Sequence, residues 1–410
     1  MLPNNLKKMI ICDPVCVQEL GHSLIAIKRY NSYLKSKGLE TDIFISRLLK
    51  DKINLDLPKE VNFYYSHYYA LVLPNNNTNK DEMSKKILDS SIQNKDEITK
   101  EIALIELNEI FDSIKEPSNT GIFFPSIDYY SLNALVSILE KNHSKNLPKL
   151  FIRWIGVMEN SYININNLSP LLLCRRLGNL NKLNQNLEMS FSAESKPYAR
   201  NLSVELNQNV VSTPTFIQED KKEIPELDSK FRISFPGSAR VDKGLLRIDN
   251  ILHLLKNKFN LIEYEAYLQL PNSSELNAHY LEIRELLKNS NVRCYPTSVS
   301  QDTLRKYIAF SNILVTPYDS RTYLYRSSAI MAEAACYGRQ VVSSSDCGFS
   351  EELEDLSIGK CGSSDEEIAR IIHEYYTLGR DQMNLLVEKA RIAYLNYLDS
   401  SYQEFFGFVL

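Results

Sequence analysis

The stretch TPYDSRTYLYRSSAIMAEAACYGRQVVSS, residues 316–344, decides the fold class. An apolar strand ends at Pro317, a polar loop follows, and Ser327 and Ser328 are well placed to cap the apolar helix that comes next. Gly338 ends that helix, and another apolar strand begins two residues later. A strand, a helix and a second strand in such close succession predict a parallel sheet with helices packed on its faces.

The same alternation of strands and helices continues toward both ends of the chain. In the second half the pattern predicts strands at 231–236, 261–268, 291–295, 312–316 and 340–344, and helices at 244–257, 275–288, 301–310 and 327–337. In the first half it predicts strands at 8–12, 41–46, 121–126 and 151–156, and helices at 23–37 and 96–115. The expected fold is therefore α/β, with two doubly wound, Rossmann-like domains facing across a cleft.

The chain length and one charged stretch divide these elements into two domains. A chain of 410 residues is too long for one ordinary core. The charged stretch 218–230 is poor in apolar residues and predicts the linker. We therefore expect domains at 1–222 and 223–394, with a last helix at about 395–410 that returns to the first domain.

Composition narrows the class of protein. The chain is 44% hydrophobic and 24% charged, and its net charge of -4 gives no overall attraction to nucleic acid. No stretch approaches the roughly 20 apolar residues that cross a bilayer. The seven cysteines include no C-x-x-C pair, which is typical of reduced core thiols in a cytoplasmic protein.

The segment PGSARVDKG, residues 236–244, is a candidate phosphate loop because it lies where a strand ends and a helix begins. Gly237 permits a sharp turn, and the free N–H groups of a helix N-terminus favour anions. Arg240 and Lys243 add two cations at the same place. A solvated basic turn is the alternative interpretation.

Glu333 lies about five residues inside the helix that Ser327 and Ser328 precede, roughly 8 Å from its N-terminus. A diphosphate seated on the amides of these serines would place a ribose within reach of the Glu333 carboxylate. The alternative is an exposed helical glutamate, which its small neighbours, among them Ala332 and Ala334, make less favourable.

Together these two segments resemble the retaining GT-B glycosyltransferases of family 4. PGSARVDKG is similar to that family's G-x-x-R-x-x-K-G phosphate loop, and MAEAACYGRQVVSSSDCGFSE (331–351) is similar to its EAMACGxPVVxSxxGGxxE segment. The resemblance covers about 232–352, and only a Leu-Gly-His opening loop, residues 20–22, extends it into the first half. It implies a hexosyltransferase-type enzyme of polysaccharide biosynthesis that transfers a sugar from a nucleotide-diphosphate donor to a glycan, lipid-linked or other hydroxyl acceptor.

The resemblance also assigns residues. It places the donor in the 223–394 domain and the acceptor in the 1–222 domain. Gly348 matches the second glycine of the family's pair, and Cys347 replaces the first. The candidate donor-binding residues are Gly237, Ser238, Tyr325, Arg326, Ser327, Ser328, Glu333 (ribose) and Glu351, and the candidate catalytic residues are Arg240, Lys243, His22 and Asp128. Arg153 is the candidate on the acceptor side.

The sequence departs from the family pattern at two places. Tyr325 stands where the family usually has a second glutamate, eight residues before the ribose glutamate. The first half also lacks a clear catalytic histidine. Asp128 and Arg153 are considered instead because they follow or end predicted strands, where α/β sites form, although a structural role suits each of them equally well.

No D-x-D pair occurs in the chain, so the expected enzyme needs no metal and no cofactor: Arg240, Lys243 and a helix N-terminus would hold the diphosphate. Two alternatives stay open, a sugar-nucleotide epimerase on the same fold and a non-catalytic sugar-nucleotide-binding subunit. The helix at 23–37 carries four cations, Lys28, Arg29, Lys35 and Lys37, beside Tyr30 and Tyr33. That face is interpreted either as a solvated surface or as a peripheral contact with anionic lipid at the inner face of the membrane.

Overall fold

The structure is a computed structural model that describes residues 6–17, 22–50, 57–66, 92–142, 146–156, 169–184, 186–217, 225–227, 230–237, 240–261, 263–269, 281, 292–295 and 300–408. The chain divides into two compact units. Unit 1 contains residues 1–194, 198–216 and 401–410, and unit 2 contains residues 195–197 and 217–400. The predicted boundary after residue 222 lies outside the described residues.

Unit 1 is built on a parallel sheet of seven described strands in the order β3-β2-β1-β4-β5-β6-β7. These strands are β1 (Lys8–Asp13), β2 (Glu40–Ser46), β3 (Val61–Tyr65), β4 (Thr120–Phe124), β5 (Lys149–Trp154), β6 (Met189–Ala193) and β7 (Val210–Ser212). The central strands β1, β4 and β5 are almost wholly buried because helices cover both faces of a parallel sheet. The strand order reverses between β1 and β4.

Five described helices accompany this half of the chain. They are α1 (His22–Ser36), α2 (Ile92–Ser113), α3 (Tyr129–Lys141), α4 (Ser169–Leu183) and α5 (Lys196–Leu206). An aromatic cluster in the core of unit 1 includes Tyr30, Phe123 and the C-terminal residues Tyr402 and Phe406. The chain therefore ends as part of unit 1.

Unit 2 repeats the architecture with six described parallel strands in the order β10-β9-β8-β11-β12-β13. The strands are β8 (Arg232–Phe235), β9 (Glu265–Gln269), β10 (Val292–Tyr295), β11 (Ile313–Thr316), β12 (Gln340–Ser344) and β13 (Gly359–Gly362). The described helices are α6 (Leu245–Asn257), α7 (Gln301–Phe310), α8 (Ser320–Tyr323), α9 (Ala329–Cys336), α10 (Ser350–Asp355) and α11 (Asp365–Phe406), the last interrupted at Gly379. Here the order reverses between β8 and β11.

These sheets confirm the prediction of two doubly wound α/β domains. Strand β9 begins at Glu265 rather than at 261 because the N–H of Leu261 still bonds to the carbonyl of Leu255 in the turn that ends α6. The predicted helix 275–288 lies almost wholly outside the described residues.

Two expectations from composition concern membranes and cysteines. Every described helix is too short or too polar to cross a membrane. The six cysteines with described side chains are free thiols, and all except Cys361 are buried.

Candidate functional site

The two predicted site segments of unit 2 meet at the point where its strand order reverses. Strands β8 and β11 pair in parallel, with Ile313 beside Ile233 and Leu314 beside Ser234. The loops that follow them, 236–244 and 317–319, therefore leave the same edge of the sheet. A reversal point of this kind opens a crevice at the carboxyl ends of the strands, where α/β domains bind ligands.

Glycine backbone geometry fixes the loop after β8. Gly237 has a φ of 98°, and Gly244 is left-handed with a φ of 77° and a ψ of 23°. A Cβ on Gly244 would lie 2.0 Å from the carbonyl oxygen of Pro317, so a side chain cannot fit there. The N–H of Asp319 also donates to the carbonyl of Asp242 at 3.0 Å. These contacts hold the two loops against each other.

Lys243 lies in a short 3₁₀ turn, Val241–Lys243, that Arg240 caps. Its Nζ is 5.9 Å from the centroid of the Tyr318 ring, and among the described residues no carboxylate lies within ion-pair distance of it. Burial, and to a smaller extent the nearby charge of Arg240, lowers the pKa of Lys243 to about 8 against the opposing effect of Asp242. The ammonium is a partly buried cation beside another cation.

Arg240 is the second cation of this loop, and about half of its side chain is exposed. Its Nη2 lies 2.8 Å from Asp242 Oδ2 and 3.4 Å from the Tyr323 hydroxyl. The rings of Tyr323 and Tyr318 have their centroids 4.4 Å apart. Arg240 and Lys243 therefore flank one tyrosine pair.

The loop 325–328 approaches the same tyrosine pair. The guanidinium carbon of Arg326 lies 5.7 Å from the centroid of the Tyr323 ring, and its buried Nε has no hydrogen-bond partner among the described residues. The carbonyl of Tyr325 accepts a hydrogen bond from the Ser195 hydroxyl. Arg326 therefore adds a third cation beside the tyrosines, at the position that follows the unusual Tyr325.

Helix α9 begins as the sequence predicts, with Ser328 as its N-cap. The Ser328 hydroxyl accepts from the N–H of Met331 at 3.2 Å. Ser327, directly before it, is partly buried.

Glu333 is buried in this helix and only 3% exposed. Its Oε2 lies 3.6 Å from Arg305 Nε of α7. The alternative interpretation of Glu333 as an exposed surface residue is therefore wrong, because the residue is buried and its carboxylate pairs with an arginine.

The segment that resembles the family's glycine pair packs against the loop 325–328. The N–H of Gly348 donates to the carbonyl of Tyr323 at 2.7 Å, and a Cβ at Gly348 would lie 2.7 Å from the carbonyl oxygen of Arg326. Glu351 is partly buried in the first turn of α10. The structure thus gathers Arg240, Lys243 and Arg326 around the tyrosine pair and places Gly237 beside the Lys243 side chain, whereas Ser238 lies outside the described residues.

One residue of this region that the sequence did not single out is Arg247. Its guanidinium donates to Asp365, to the Ser344 hydroxyl at 2.6 Å and to the carbonyl of Pro317 at 3.2 Å. It lines a cavity of about 420 Å³ together with Ser344, Asp346 and Ser363. An arginine in the first turn of a helix that starts at the phosphate loop was the available signal.

In unit 1, Asp128 and Arg153 have well-defined structural partners. Asp128 caps α3, with Oδ1 accepting from the N–H groups of Tyr130 and Ser131. Arg153, in β5, donates to the carbonyl and hydroxyl of Thr213 and to the carbonyl of Pro125. Both are buried at the carboxyl edge of the sheet.

His22 is the first residue of α1, and its side chain lies outside the described residues. Two residues of the cationic face considered from the sequence are buried. Arg29 is 8% exposed and donates to the carbonyl of Phe216, and Tyr30 is 2% exposed within the aromatic core. Lys35 pairs with Glu60. Arg29 and Tyr30 therefore do not contribute to an exposed cationic face.

Sequence reasoning missed Asp13, the last residue of β1. It is 2% exposed, and its Oδ1 has no hydrogen-bond partner among the described residues. Burial, and after it the charge of Asp128, raises its pKa to about 7, although the N–H groups of Val15 and Cys16 and the charge of Arg153 oppose the shift. The available signal was an aspartate directly after the apolar run MIIC, where a central strand ends.

No family model matches the chain, and no curated protein matches its sequence. Solved structures do. Sucrose-phosphate synthase from Thermosynechococcus elongatus aligns with a TM-score of 0.63 at 11% identity, covering 98% of this chain and 100% of that one.

Two further structures match over nearly their full lengths. A variant of S. aureus TarM in complex with fondaparinux, α-GlcNAc-glycerol and UDP has a TM-score of 0.62 at 10% identity, covering 97% of this chain and 99% of that one. WaaG, a glycosyltransferase involved in lipopolysaccharide biosynthesis, has a TM-score of 0.53 at 13% identity, covering 96% and 95%. Identities this low show the fold alone: the chain has the two-domain, Rossmann-like GT-B fold of these proteins.

Proposed function

We propose that the chain is a glycosyltransferase that holds a nucleotide-diphosphate sugar on unit 2 and transfers the sugar to a hydroxyl acceptor. The observation that carries this proposal is the arrangement of Arg240 and Lys243 on a glycine-fixed loop, at the reversal point between β8 and β11. Cations held in place by backbone geometry suit an anionic group with several oxygens. The capped start of α9 at Ser328 offers further N–H donors.

The chemistry follows from where charge develops. As the bond between sugar and diphosphate breaks, negative charge accumulates on the leaving diphosphate, and fixed cations stabilise that charge more than they stabilise the ground state. We propose that Arg240 and Lys243 do this without a divalent metal. The resemblance to retaining enzymes favours attack on the face that the leaving group departs from, with the diphosphate accepting the acceptor's proton.

The remaining assignments in unit 2 concern the nucleoside and the sugar. We propose that Glu333 binds the ribose hydroxyls, since its carboxylate lies in the helix that the capped turn begins. Arg326, beside the tyrosine pair, is assigned to the diphosphate or the transferred sugar. The likeness to sugar-transferring enzymes, one of them crystallised with UDP, supports a nucleoside diphosphate as the ligand.

Tyr325 supports a second candidate, a subunit that binds a sugar nucleotide without turning it over. A tyrosine at this position supplies a hydroxyl where the family has a carboxylate, and its carbonyl accepts from Ser195. The two candidates differ in turnover and agree in donor binding.

The test is sugar release and transfer from a panel of UDP-, GDP- and ADP-sugars, with and without EDTA, by the wild type and by Lys243→Ala. We expect turnover with one donor class that resists EDTA, and a loss of about 30- to 1000-fold in the variant, which corresponds to roughly 2–4 kcal/mol in the barrier. Tight donor binding without turnover across a broad acceptor panel would favour the non-catalytic subunit. An inverted anomeric product would overturn the assigned stereochemistry.

A further inference from the structure

Arg247, in the first turn of α6, contacts three other segments of unit 2 at once. Its Nε donates to Asp365 at the start of α11, and its Nη1 donates to the Ser344 hydroxyl at the end of β12 and to the carbonyl of Pro317 after β11. Arginine suits this place because its planar guanidinium directs separate N–H groups to different partners, whereas lysine offers a single point charge. One side chain thus joins the helix that follows the phosphate loop to the carboxyl ends of β11 and β12.

The carbonyl of Pro317 is the contact that reaches the phosphate loop. Its oxygen lies 3.2 Å from Arg247 Nη1 and 2.0 Å from the place that a Cβ on Gly244 would occupy. The loop after β11 therefore lies directly against the backbone that follows Lys243. Tyr318 is the next residue after Pro317, and its ring centroid lies 5.9 Å from Lys243 Nζ. A displacement of this carbonyl would move the tyrosine and the lysine apart.

The hydrogen bond from Arg247 has no substitute at Pro317. Among the described residues no second group donates to the Pro317 carbonyl, and a cavity of about 420 Å³ borders Tyr318 and Gly244 on the same side. The loop after β11 therefore has room to move away from the phosphate loop when this hydrogen bond is lost.

The attachment of α6 to α11, in contrast, does not depend on Arg247 alone. Arg247 pairs with Asp365, and about three tenths of the arginine side chain is exposed. Asn250, three residues further along α6, donates to the other oxygen of Asp365 at 2.9 Å. Asp365 thus keeps a partner on α6 when Arg247 is replaced.

We propose that Arg247 is a positioning residue of the diphosphate site. By holding the carbonyl of Pro317 against Gly244, it keeps the Tyr318 ring beside Lys243 and fixes the lysine where the donor's diphosphate binds. This rests on the proposed function of the chain, with its diphosphate site on the loop after β8. Arg247 acts through Lys243, since its own Nε and Nη1 groups are used by the protein.

The surroundings of Lys243 supply a measurement that needs no ligand. Arg240 and Asp242 are the charged groups beside Lys243, and Tyr318 lies against it from the loop after β11. Burial is the main reason why the pKa of Lys243 falls to about 8. If the two loops separate and water enters, this pKa should return toward the ordinary lysine value of about 10.4. A loss of stability elsewhere in unit 2 would not change it while the protein stays folded.

The experiment measures the pKa of the Lys243 amine in the full-length protein, from its rate of reaction with trace acetic anhydride at increasing pH, read by mass spectrometry. The wild type is compared with Arg247→Lys, which keeps the positive charge, and with Arg247→Met, which removes it. Asn250→Ala is the control, because it removes the other hydrogen bond from α6 to Asp365. We expect the Lys243 pKa to rise by about one pH unit or more in both Arg247 variants and to stay unchanged in Asn250→Ala.

Calorimetric binding of UDP, GDP and ADP to the same four proteins completes the test, at a temperature where circular dichroism shows each of them folded. We expect the diphosphate that binds the wild type to bind both Arg247 variants about 10-fold or more weakly, and Asn250→Ala within about twofold of the wild type.

The proposal is overturned if Arg247→Lys keeps either the wild-type pKa of Lys243 or the wild-type affinity, because the charge of residue 247 would then be enough. It is also overturned if neither Arg247 variant folds, or if Asn250→Ala loses as much affinity, since Arg247 would then serve only the fold. A wild type that binds a diphosphate but turns over no donor contradicts the proposed function and leaves the role of Arg247 standing. A wild type that binds no diphosphate overturns both.

Discussion

At the scale of single residues, the site of unit 2 depends on a lysine whose pKa lies close to neutral pH. Lys243 lies beside Arg240 and the Tyr318 ring, and burial lowers its pKa to about 8. A lysine in such surroundings holds its proton less firmly until an anion arrives. Anion binding and protonation of Lys243 are therefore coupled.

The first prediction concerns pH. Above pH 8 the free protein loses the Lys243 proton, so the Kd for a nucleoside diphosphate should rise by up to tenfold per pH unit. Calorimetric titrations with UDP, GDP and ADP between pH 7.5 and 9.5 measure this, a range in which the terminal phosphate stays ionised. Lys243→Arg stays protonated throughout and should show a flat profile. If the affinity falls equally with pH in both proteins, Lys243 does not bind the diphosphate.

The second prediction concerns the stability of unit 1. The folded pKa of Asp13, about 7, lies above the unfolded value of about 3.9. Its stabilising contribution is thus fully present below pH 4 and is lost as the pH rises through 7. Asn does not ionise, so Asp13→Asn removes this loss. The free energy of unfolding of the variant should exceed that of the wild type by up to about 4 kcal/mol at pH 8 and by little at pH 4.

Denaturant unfolding followed by tryptophan fluorescence measures the effect, because the chain's one tryptophan, Trp154, is buried in unit 1. Asp42→Asn is the control, since that carboxylate is partly exposed. A variant less stable than the wild type at pH 8 would show that Asp13 supports the fold.

At the scale of elements, the loop after β8 requires glycine for two separate reasons. Gly244 has a left-handed backbone, and its absent side chain leaves room for the carbonyl of Pro317. Gly38 has a similar φ of 85°, but a Cβ there would meet nothing within 4 Å. A substitution at Gly38 therefore tests backbone strain alone, whereas a substitution at Gly244 adds a steric clash.

The third prediction compares alanine at these two glycines. Gly38→Ala should cost about 1–2 kcal/mol from strain alone. Gly244→Ala should lower the free energy of unfolding by more than about 3 kcal/mol or shift the loop, because the added Cβ must push the loop after β8 away from the loop after β11. Thermal unfolding and nucleoside-diphosphate binding together check this. Equal stability losses with diphosphate binding intact in both variants would mean that the two loops need not touch.

The sequence predicted the central strands and both segments of the unit 2 site, because long apolar runs and glycine-bounded turns are local signals. It missed the strands β3, β6, β7 and β13. The segment GKCG of β13 has no strand pattern, and its pairing with β12 makes it a strand. Asp13 and Arg247 were missed for a similar reason. The burial of the Asp13 carboxylate and the hydrogen bond from Arg247 to the carbonyl of Pro317 arise only when segments distant in the sequence pack together.

At the scale of the whole molecule, the chain returns to its first unit at its end. Phe406 is fully buried, and its ring lies 5.1 Å from that of Phe123 and 5.2 Å from that of Phe151, centroid to centroid. The core of unit 1 therefore combines Phe406 with residues of the strands β4 and β5, which lie far from it in the sequence.

The fourth prediction follows from that closure. Phe406→Ala should destabilise unit 1 by about 3–5 kcal/mol, seen as an earlier loss of Trp154 fluorescence in denaturant. Leu385→Ala, on the same helix but 75% exposed, should change stability by no more than about 0.5 kcal/mol. If the Trp154 midpoint is unchanged in Phe406→Ala, the C-terminal segment contributes nothing to that core.

The most direct test of the central claim is calorimetric binding of UDP, GDP and ADP in EDTA to the wild type, Lys243→Ala and Lys258→Ala. Lys258 follows the opposite end of α6 from the phosphate loop and pairs with Glu366. We expect that at least one diphosphate binds without metal, that Lys243→Ala weakens this binding tenfold or more, and that Lys258→Ala leaves it unchanged. Binding that is absent in EDTA, or indifferent to Lys243, would contradict a metal-free diphosphate site on the β8 loop.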